Sequence, residues 1–247
     1  MKPESVTRYA RHLVLKEIGG PGQQALLAAR VVIIGAGGLG GPAGLYLAAA
    51  GVGHITLIDD DAVELSNLQR QIQFGVKDIG QPKAASMAQS LGAINPEVTL
   101  TAHPVRLTAK NARELLRGHD VILDGVDDFA SRFVINDAAL ALKIPLVSGA
   151  LGRFNGQVSA FRNDGQSACY RCLVPEIPPD AQTCSQVGVI GALAGLIGSA
   201  MALETVKLIT GAGEGLYGKL WLYDGLKSEA RTIKLPRDTQ CPACGHL

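Results

Sequence analysis

A short apolar run leads into a glycine-rich turn in the sequence Val31-Val32-Ile33-Ile34-Gly35-Ala36-Gly37-Gly38-Leu39-Gly40. An apolar helix pattern follows over residues 39–50, and a second apolar run over residues 55–58 ends in Asp59-Asp60-Asp61. A strand, a glycine turn, a helix and a strand within about 30 residues are typical of a βαβ unit. The segment therefore predicts an α/β fold of the doubly wound, Rossmann-like kind.

Strand and helix patterns continue to alternate after this unit, which favours a mostly parallel sheet with helices on both faces. Helices are predicted near residues 83–91, 109–116 and 130–142, and strands near residues 98–102, 121–124 and 146–148. Beyond residue 156 antiparallel strands are predicted near residues 157–161, 219–223 and 231–235. An amphipathic helix outside the sheet is predicted over residues 7–18.

These patterns predict a single domain over residues 1–247. Within it we expect an N-terminal helical segment (1–28) and a nucleotide-binding part (29–153). The remaining part (154–247) would hold the antiparallel strands, a crossover loop and a metal-binding lobe.

The net charge of +1, with 18% charged residues, argues against nucleic-acid and membrane-surface partners. The N-terminus lacks an apolar signal region, so a cytoplasmic location is expected. Residues 187–203 carry no charge and come near the lower length limit for a membrane-spanning helix. Glycines recur along this run at helical spacing, and charged residues follow it directly, so a buried helix that could lie at a subunit interface is favoured over a membrane span.

The glycine turn carries the pattern G-x-G-x-x-G at Gly35, Gly37 and Gly40. The first two glycines permit a tight turn and a close approach of phosphate, and the third permits close packing of helix on strand. Asp59 ends the second strand, where a carboxylate can accept hydrogen bonds from ribose hydroxyls. The fingerprint alone indicates NAD or FAD as readily as another nucleotide.

Further polar side chains follow the strands at the carboxyl edge of the predicted sheet, where such folds bind ligands. Arg70 and Lys83 supply two cations, which suit a triphosphate whose leaving pyrophosphate needs charge neutralisation. Asn67 adds an amide in the same loop. Asp127 would repel phosphates unless a cation intervened, so it suggests Mg²⁺.

Two Cys-x-x-Cys turns account for four of the five cysteines. Cys169 and Cys172 form the first turn, and Cys241 and Cys244 form the second. Such pairs predict a closed, tetrahedral, all-thiolate Zn²⁺ site with a structural role. A catalytic zinc would need an open position, and a redox pair would need only one such turn, so both alternatives are less favoured.

Several motifs together resemble the ThiF/MoeB/HesA family of E1-like adenylyltransferases over essentially the whole chain, most closely its molybdopterin-synthase branch. These motifs are the glycine turn, Ser66-Asn67-Leu68-Gln69-Arg70-Gln71, Gly80-Gln81-Pro82-Lys83, Pro145-Leu146-Val147-Ser148-Gly149 and both cysteine turns. The resemblance implies an ATP-dependent enzyme of molybdenum cofactor biosynthesis. It would activate the C-terminal glycine of a ubiquitin-like, MoaD-type sulfur carrier ending in Gly-Gly as an acyl-adenylate, releasing pyrophosphate.

The resemblance also implies roles for individual residues. ATP would contact the glycine turn at Gly35, Gly37, Gly38 and Gly40, and its ribose would contact Asp59. The phosphates of ATP would contact Asn67, Arg70 and Lys83. Mg²⁺ would bind Asp127. Arg11 matches an arginine that family members donate to the ATP of a neighbouring subunit, which implies a homodimer. The segment Gly125-Val126-Asp127-Asp128 departs from the more usual Cys-Thr-Asp-Asn, so the extra carboxylate of Asp128 puts the metal ligand set in question.

Cys184 lies outside both cysteine turns, in a proline-bearing polar loop. The resemblance implies that it could take up the activated acyl group or join in sulfur transfer, although an incidental cysteine is the simpler interpretation. No sulfurtransferase domain follows residue 247, so a separate sulfur donor protein is expected. The alternatives are an enzyme acting on a ThiS-type carrier in thiamine biosynthesis, an enzyme that adenylates a small molecule or tRNA, and an NAD-dependent oxidoreductase.

Overall fold

A computed structural model describes residues 1–177, 179 and 188–245 of the chain. One eight-stranded sheet runs through it in the order β3-β2-β1-β4-β5-β6-β7-β8. The strands are β1 (Arg30–Ile34), β2 (His54–Ile58), β3 (Thr99–His103), β4 (Val121–Asp124), β5 (Leu146–Leu151), β6 (Asn155–Phe161), β7 (Lys219–Asp224) and β8 (Glu229–Lys234). The predicted α/β fold is confirmed.

The first five strands are parallel, with β1 paired to both β2 and β4. Strand order reverses beside β1, because the chain leaves β1 toward β2 and β3 and later returns on its other side to β4. Ligands of such sheets bind at the carboxyl ends of the strands that flank this reversal. The last three strands run antiparallel, so the predicted extension of the sheet is present.

Helices cover both faces of the parallel strands. They are α1 (Pro3–Arg8), α2 (Ala10–Leu13), α3 (Gly19–Ala28), α4 (Gly40–Ala50), α5 (Lys83–Ile94), α6 (Ala112–Leu116), α7 (Phe129–Leu142), α8 (Tyr170–Leu173) and α9 (Gly191–Thr210). Side chains alternate along β1: Val31 and Ile33 pack with α4, α5 and α9, whereas Val32 and Ile34 pack with α6 and α7. The near-continuous apolar run of β1 therefore reflects burial on both faces.

Helix α9 is long and apolar enough to cross a membrane by length and composition. It nevertheless packs on the sheet through Leu193, Ile197 and Met201, all of which belong to the main core. A Cβ added to Gly198 would lie 2.5 Å from the carbonyl oxygen of Leu39, so this glycine permits close approach to the start of α4. The prediction of a buried helix is confirmed for this face of α9.

The helix predicted over residues 7–18 differs from the structure, which breaks it into α1, α2 and a turn before α3. Tyr9 separates α1 from α2 with backbone angles of φ −99° and ψ 15°. Its ring is buried, and its hydroxyl accepts a hydrogen bond of 2.9 Å from the Asn95 side chain. A long-range contact therefore interrupts a locally helical sequence.

Candidate nucleotide-binding cleft

A cleft of about 620 Å³ opens at the carboxyl ends of β1, β2 and β4. Its walls bring together most of the residues that the sequence singles out. The predicted residues that line it are Gly35, Gly37, Gly38, Asp59, Asn67, Arg70, Lys83 and Asp127. Its volume is in the range typical of small-molecule sites.

The glycine turn forms the floor of this cleft. Gly35 has φ +89°, and a Cβ there would lie 2.8 Å from the carbonyl oxygen of Gly125. A Cβ on Gly40 would lie 1.9 Å from the carbonyl oxygen of Gly35, so the third glycine permits the close packing of the turn against the start of α4. Gly37 is different, because no backbone atom lies within 4 Å of its absent Cβ. Of the three glycines in the G-x-G-x-x-G pattern, Gly37 is therefore the one whose Cβ position is free of backbone contacts.

Asp59 connects the end of β2 to the glycine turn. Its carboxylate accepts hydrogen bonds from the backbone N–H of Ala36 at 2.7 Å and of Asp61 at 2.8 Å. Burial raises the pKa of Asp59, although both hydrogen bonds oppose the rise. Each carboxylate oxygen can accept more than one hydrogen bond, so the group keeps capacity for a ribose hydroxyl.

Lys83 is the first residue of α5, lines the cleft and forms an ion pair there. Its Nζ lies 2.7 Å from Oδ2 of Asp61, with the lysine buried and the aspartate largely exposed. An ammonium group has three donors, so this pairing leaves capacity for a ligand anion. The ion pair of Asp61 could not be predicted from the sequence, because an acidic residue in a run of three carries no local signal of its partner.

Asn67 and Arg70 come from the loop after β2. Asn67 is buried, and its Oδ1 accepts a hydrogen bond of 3.2 Å from the backbone of Glu64, which closes a short 3-10 turn over Leu65–Asn67. Arg70 donates from Nη1 to the carbonyl oxygen of Ser66 at 3.1 Å. Its stem lies against Gly38, since a Cβ there would be 3.6 Å from Cγ of Arg70.

Asp127 and Asp128 occupy different environments despite being adjacent. Asp127 is exposed at the rim of the cleft. Asp128 is the N-cap of α7, and its Oδ1 accepts a hydrogen bond of 2.8 Å from the backbone N–H of Ser131. Asp and Asn are equally good N-caps, which explains why either can follow the metal-candidate aspartate.

A buried ion pair that the sequence did not predict lies at the wall of the cleft. Arg132 on α7 donates to the Asp124 carboxylate at 3.1 Å and also to the carbonyl oxygens of Val126 at 2.6 Å and Gly149 at 2.8 Å. The hydroxyl of Ser148 donates to the same carboxylate at 2.7 Å. Burial raises the pKa of Asp124, while Arg132 opposes that rise. The network ties the loop after β4 to β5.

Tyr170 connects this network to the first cysteine turn. Its ring lines the cleft, and the Arg132 guanidinium lies 5.8 Å from the ring centroid. Burial raises the pKa of Tyr170 to about 12. The side chain of Asn136 accepts a hydrogen bond from the Tyr170 backbone at 2.9 Å, so α7 holds the start of α8.

The four cysteines lie together beyond Tyr170. Their Sγ atoms all lie within 4.8 Å of one another, with 3.7 Å between Cys169 and Cys241 and 3.5 Å between Cys172 and Cys244. These distances exceed a disulfide bond and approach the edge of about 3.8 Å expected for four sulfurs around one Zn²⁺. Burial, and the neighbouring thiols, raise the pKa of Cys169. The donor set fits a closed thiolate metal site.

Arg11, the residue predicted to act on the ATP of a neighbouring subunit, lies away from the cleft of its own chain. Arg11, on α2, is exposed and does not line the cleft. Its neighbours Tyr9 and His12 contact Asn95 and Gln23, which places α2 at the amino edge of the sheet, opposite the cleft. Cys184 lies outside the described residues.

The fold and the cleft define a doubly wound α/β protein with a nucleotide-type site beside a four-cysteine cluster. The family model described as the ThiF family matches residues 9–243. The chain therefore belongs to the ThiF family, as its motifs indicated.

Three curated relatives are similar over nearly all of this chain. The sulfur carrier protein adenylyltransferase of Thermus thermophilus is 44% identical, covering 98% of this chain and 92% of that protein. The sulfur carrier protein ThiS adenylyltransferase of Escherichia coli is 43% identical, and the match covers 99% of this chain and 97% of that protein. The probable adenylyltransferase/sulfurtransferase MoeZ of Mycobacterium tuberculosis is 47% identical, and the match covers 99% of this chain and 64% of that protein. The expected class of enzyme, a nucleotidyltransferase, is confirmed by these relatives.

Solved structures share the fold. The crystal structure of E. coli MccB with ATP matches with a TM-score of 0.84 at 21% identity, covering 97% of this chain and 75% of that chain. The PaaA structure matches with a TM-score of 0.83 at 23% identity, covering 96% of this chain and 76% of that chain.

Proposed function

We propose that this protein is an ATP-dependent adenylyltransferase that activates the C-terminal glycine of a ubiquitin-like sulfur carrier. The observation that carries the proposal is the meeting of the glycine turn, Arg70 and Lys83 in one cleft. Two cations beside a phosphate-binding turn suit a reaction that expels pyrophosphate, whereas hydride transfer to NAD has no such need. The printed names of the Thermus and E. coli relatives agree with a carrier substrate.

The proposed chemistry needs no general base. An oxygen of the carrier's terminal carboxylate attacks the α-phosphorus of ATP, the bond from that phosphorus to the bridging oxygen breaks, and pyrophosphate leaves with the electron pair. The carboxylate is already ionised at neutral pH, so positioning and charge neutralisation supply the catalysis. Lys83 and Arg70 would neutralise the phosphates. Asp127 would hold Mg²⁺, which would supply further neutralisation at the phosphates.

A second cleft supports a protein substrate over a small molecule. It has a volume of about 730 Å³ and runs along β6, β7 and β8. It shares Ala150, Leu151, Gly152 and Gln157 with the nucleotide-binding cleft. An extended Gly-Gly tail could therefore pass from this surface to the α-phosphate, whereas a small molecule would not need the second cleft.

We infer a MoaD-type carrier of molybdenum cofactor biosynthesis from the motifs, with a ThiS-type carrier of thiamine biosynthesis as the second candidate because of the named E. coli relative. A separate sulfur donor and a cytoplasmic location complete this proposal. The four cysteines would bind Zn²⁺ as a structural metal. Cys184 would take part in acyl or sulfur transfer.

The proposed homodimer rests on the position of Arg11. Because α2 lies at the amino edge of its own sheet, Arg11 can reach a triphosphate only in another copy of the chain. Mixing Arg11→Ala chains with Asp59→Ala chains should then restore part of the activity through mixed dimers. No recovery, in a sample where mixed dimers are demonstrated, would contradict a site shared between subunits.

Pyrophosphate–ATP exchange tests the reaction itself. The purified zinc-loaded protein is assayed with Mg²⁺ and either a MoaD-type or a ThiS-type carrier, each ending in Gly-Gly. Exchange with one carrier alone would identify the reaction and the pathway. Lys83→Met should reduce the exchange rate by about 100-fold, because one charge-stabilising group is lost. Binding of ATP without exchange on either carrier would contradict the carrier proposal and favour a small molecule or tRNA.

A further inference from the structure

The Arg11 side chain is exposed on α2 and has no partner within its own chain. It makes no hydrogen bond, ion pair or cation–π contact with the residues that the structure describes. The apolar side chains of Val14 and Leu15 follow it and are also exposed. Arginine and exposed apolar side chains together favour a surface that meets another molecule.

The residue on the amino side of this segment, Tyr9, is held firmly in the core. Its hydroxyl accepts a hydrogen bond of 2.9 Å from Nδ2 of Asn95, which is fully buried. The same Nδ2 donates to the carbonyl oxygen of Ala48 at 2.8 Å. The Tyr9 ring fills the space beside Gly51, where an added Cβ would lie 2.5 Å from Cζ of the ring. Tyr9 therefore has little freedom to move.

The residue directly after Arg11 is held in a similar way. Nδ1 of His12 lies 2.8 Å from Oε1 of Gln23, a fully buried side chain. Nε2 of Gln23 donates to the carbonyl oxygen of Ala50 at 3.0 Å, so its Oε1 faces His12 and accepts the Nδ1 proton. Two buried hydrogen-bond chains thus reach the backbone from either side of Arg11.

Both hydrogen-bond chains end on the carboxyl end of α4, at Ala48 and Ala50. Helix α4 begins at the glycine turn of the cleft, so its position is fixed by the sheet. Helix α2 has only four residues, and a helix this short does not hold its shape without tertiary contacts. The orientation of Arg11 therefore depends on Tyr9 and His12.

We propose that Tyr9 and His12 are positioning residues that hold Arg11 in the orientation required by the cleft of a neighbouring copy. The inference rests on the proposed function, because it needs a homodimer in which Arg11 reaches the partner's triphosphate. A cation placed 1 Å away from its working position loses much of its effect on a reaction. Fixing α2 before the two copies meet avoids that loss and the entropy cost of ordering the segment.

Two single changes loosen α2 without altering Arg11. Tyr9→Phe keeps the ring and removes the hydroxyl, and His12→Leu removes the hydrogen bond to Gln23. We expect each to lower kcat/KM for ATP in pyrophosphate exchange about tenfold. His12→Asn should keep most of the activity, because its side-chain N–H can replace Nδ1–H. Tyr46→Phe is the matched control, since Tyr46 is an exposed tyrosine on α4.

Mixed dimers separate a role in the neighbouring cleft from a role in the chain's own fold. Asp59→Ala inactivates the cleft of one chain, so only the cleft of the other chain works, and two affinity tags isolate the mixed species. Tyr9→Phe in the chain with the working cleft should leave the activity of the mixed dimer unchanged. Tyr9→Phe in the Asp59→Ala chain should lower it about tenfold, because that chain donates Arg11.

The reverse pattern, or an equal loss in both mixed dimers, would overturn the inference in favour of a role in the chain's own fold. No loss in either dimer would overturn it as well, and His12→Leu repeats the test should Tyr9→Phe fail to fold. The same dimers made with Arg11→Ala test the shared site itself. If Arg11→Ala has no effect in the Asp59→Ala chain, the proposed homodimer site fails. An effect of Arg11→Ala without one of Tyr9→Phe or His12→Leu removes this inference alone.

Discussion

The nucleotide-binding cleft and the four-cysteine cluster differ in how the charges of their ionisable groups are neutralised. In the cleft, the chain itself supplies a charged partner for two buried side chains: Asp61 pairs with Lys83, and Arg132 pairs with Asp124. In the cluster, Cys169 and Cys241 have each other's sulfur as a close contact, and deprotonating several of them together would place like charges side by side. The paired charges hold the shape of the cleft without a ligand, whereas four thiolates held this close together would depend on the proposed metal ion.

The largest loss of stability is expected when one cysteine of the cluster is replaced. Cys241→Ser would take one of four thiolates from the metal site, and the free energy of unfolding should fall by on the order of 4 kcal/mol. Urea denaturation and the zinc content of the purified variant measure the two consequences. A chelator should lower the stability of the unaltered protein to a similar level and have little effect on the variant. Full zinc content and full stability in Cys241→Ser would show that the cluster is not a four-thiolate site.

A smaller loss of stability is expected in the cleft, where a protein side chain supplies the opposite charge. Arg132→Met leaves the Asp124 carboxylate buried without its guanidinium, which should cost about 3 kcal/mol of unfolding free energy. Replacing both residues, as Arg132→Met with Asp124→Leu, should recover part of that loss. A double variant as unstable as the sum of the single changes would contradict the ion-pair interpretation.

The same variant should show a characteristic pH dependence. Burial already raises the pKa of Asp124, and loss of Arg132 would raise it further. A folded-state pKa above the unfolded value of about 3.9 means that the folded protein holds its proton over a window above that value. The stability of Arg132→Met relative to the unaltered protein should therefore fall as the pH rises from about 4 towards 7. A constant difference across this range would show that Asp124 is not the cause.

The smallest effect is expected at Asp128, whose carboxylate is occupied by the α7 backbone. Asp128→Asn should change the unfolding free energy by less than about 0.5 kcal/mol, because both residues cap helices well, whereas Asp128→Ala should cost about 1 kcal/mol. The Mg²⁺ dependence of pyrophosphate exchange should be unchanged in Asp128→Asn. A shifted Mg²⁺ requirement would show that Asp128, and not only Asp127, contributes to a metal site.

Much of the fold was predictable because its signals are local. The glycine turn after β1, the apolar runs of the parallel strands and the paired cysteines each carry their meaning within a few residues. Arg132 and Asp61 were missed because their ion pairs depend on neighbours brought close only by the folded sheet. The break at Tyr9 has the same origin, since its partner Asn95 lies 86 positions away.

The positions of the two cysteine turns in the chain also bear on whether the sheet or the four-cysteine cluster forms first. Cys169 and Cys241 are 72 positions apart, and all eight strands precede the second turn in the chain. The strands of the sheet therefore pair through segments that do not include the second cysteine turn. Capture of the proposed metal would then be a closing step applied to an already folded sheet. We expect the supply of metal to govern how long finished molecules survive, more than whether they fold.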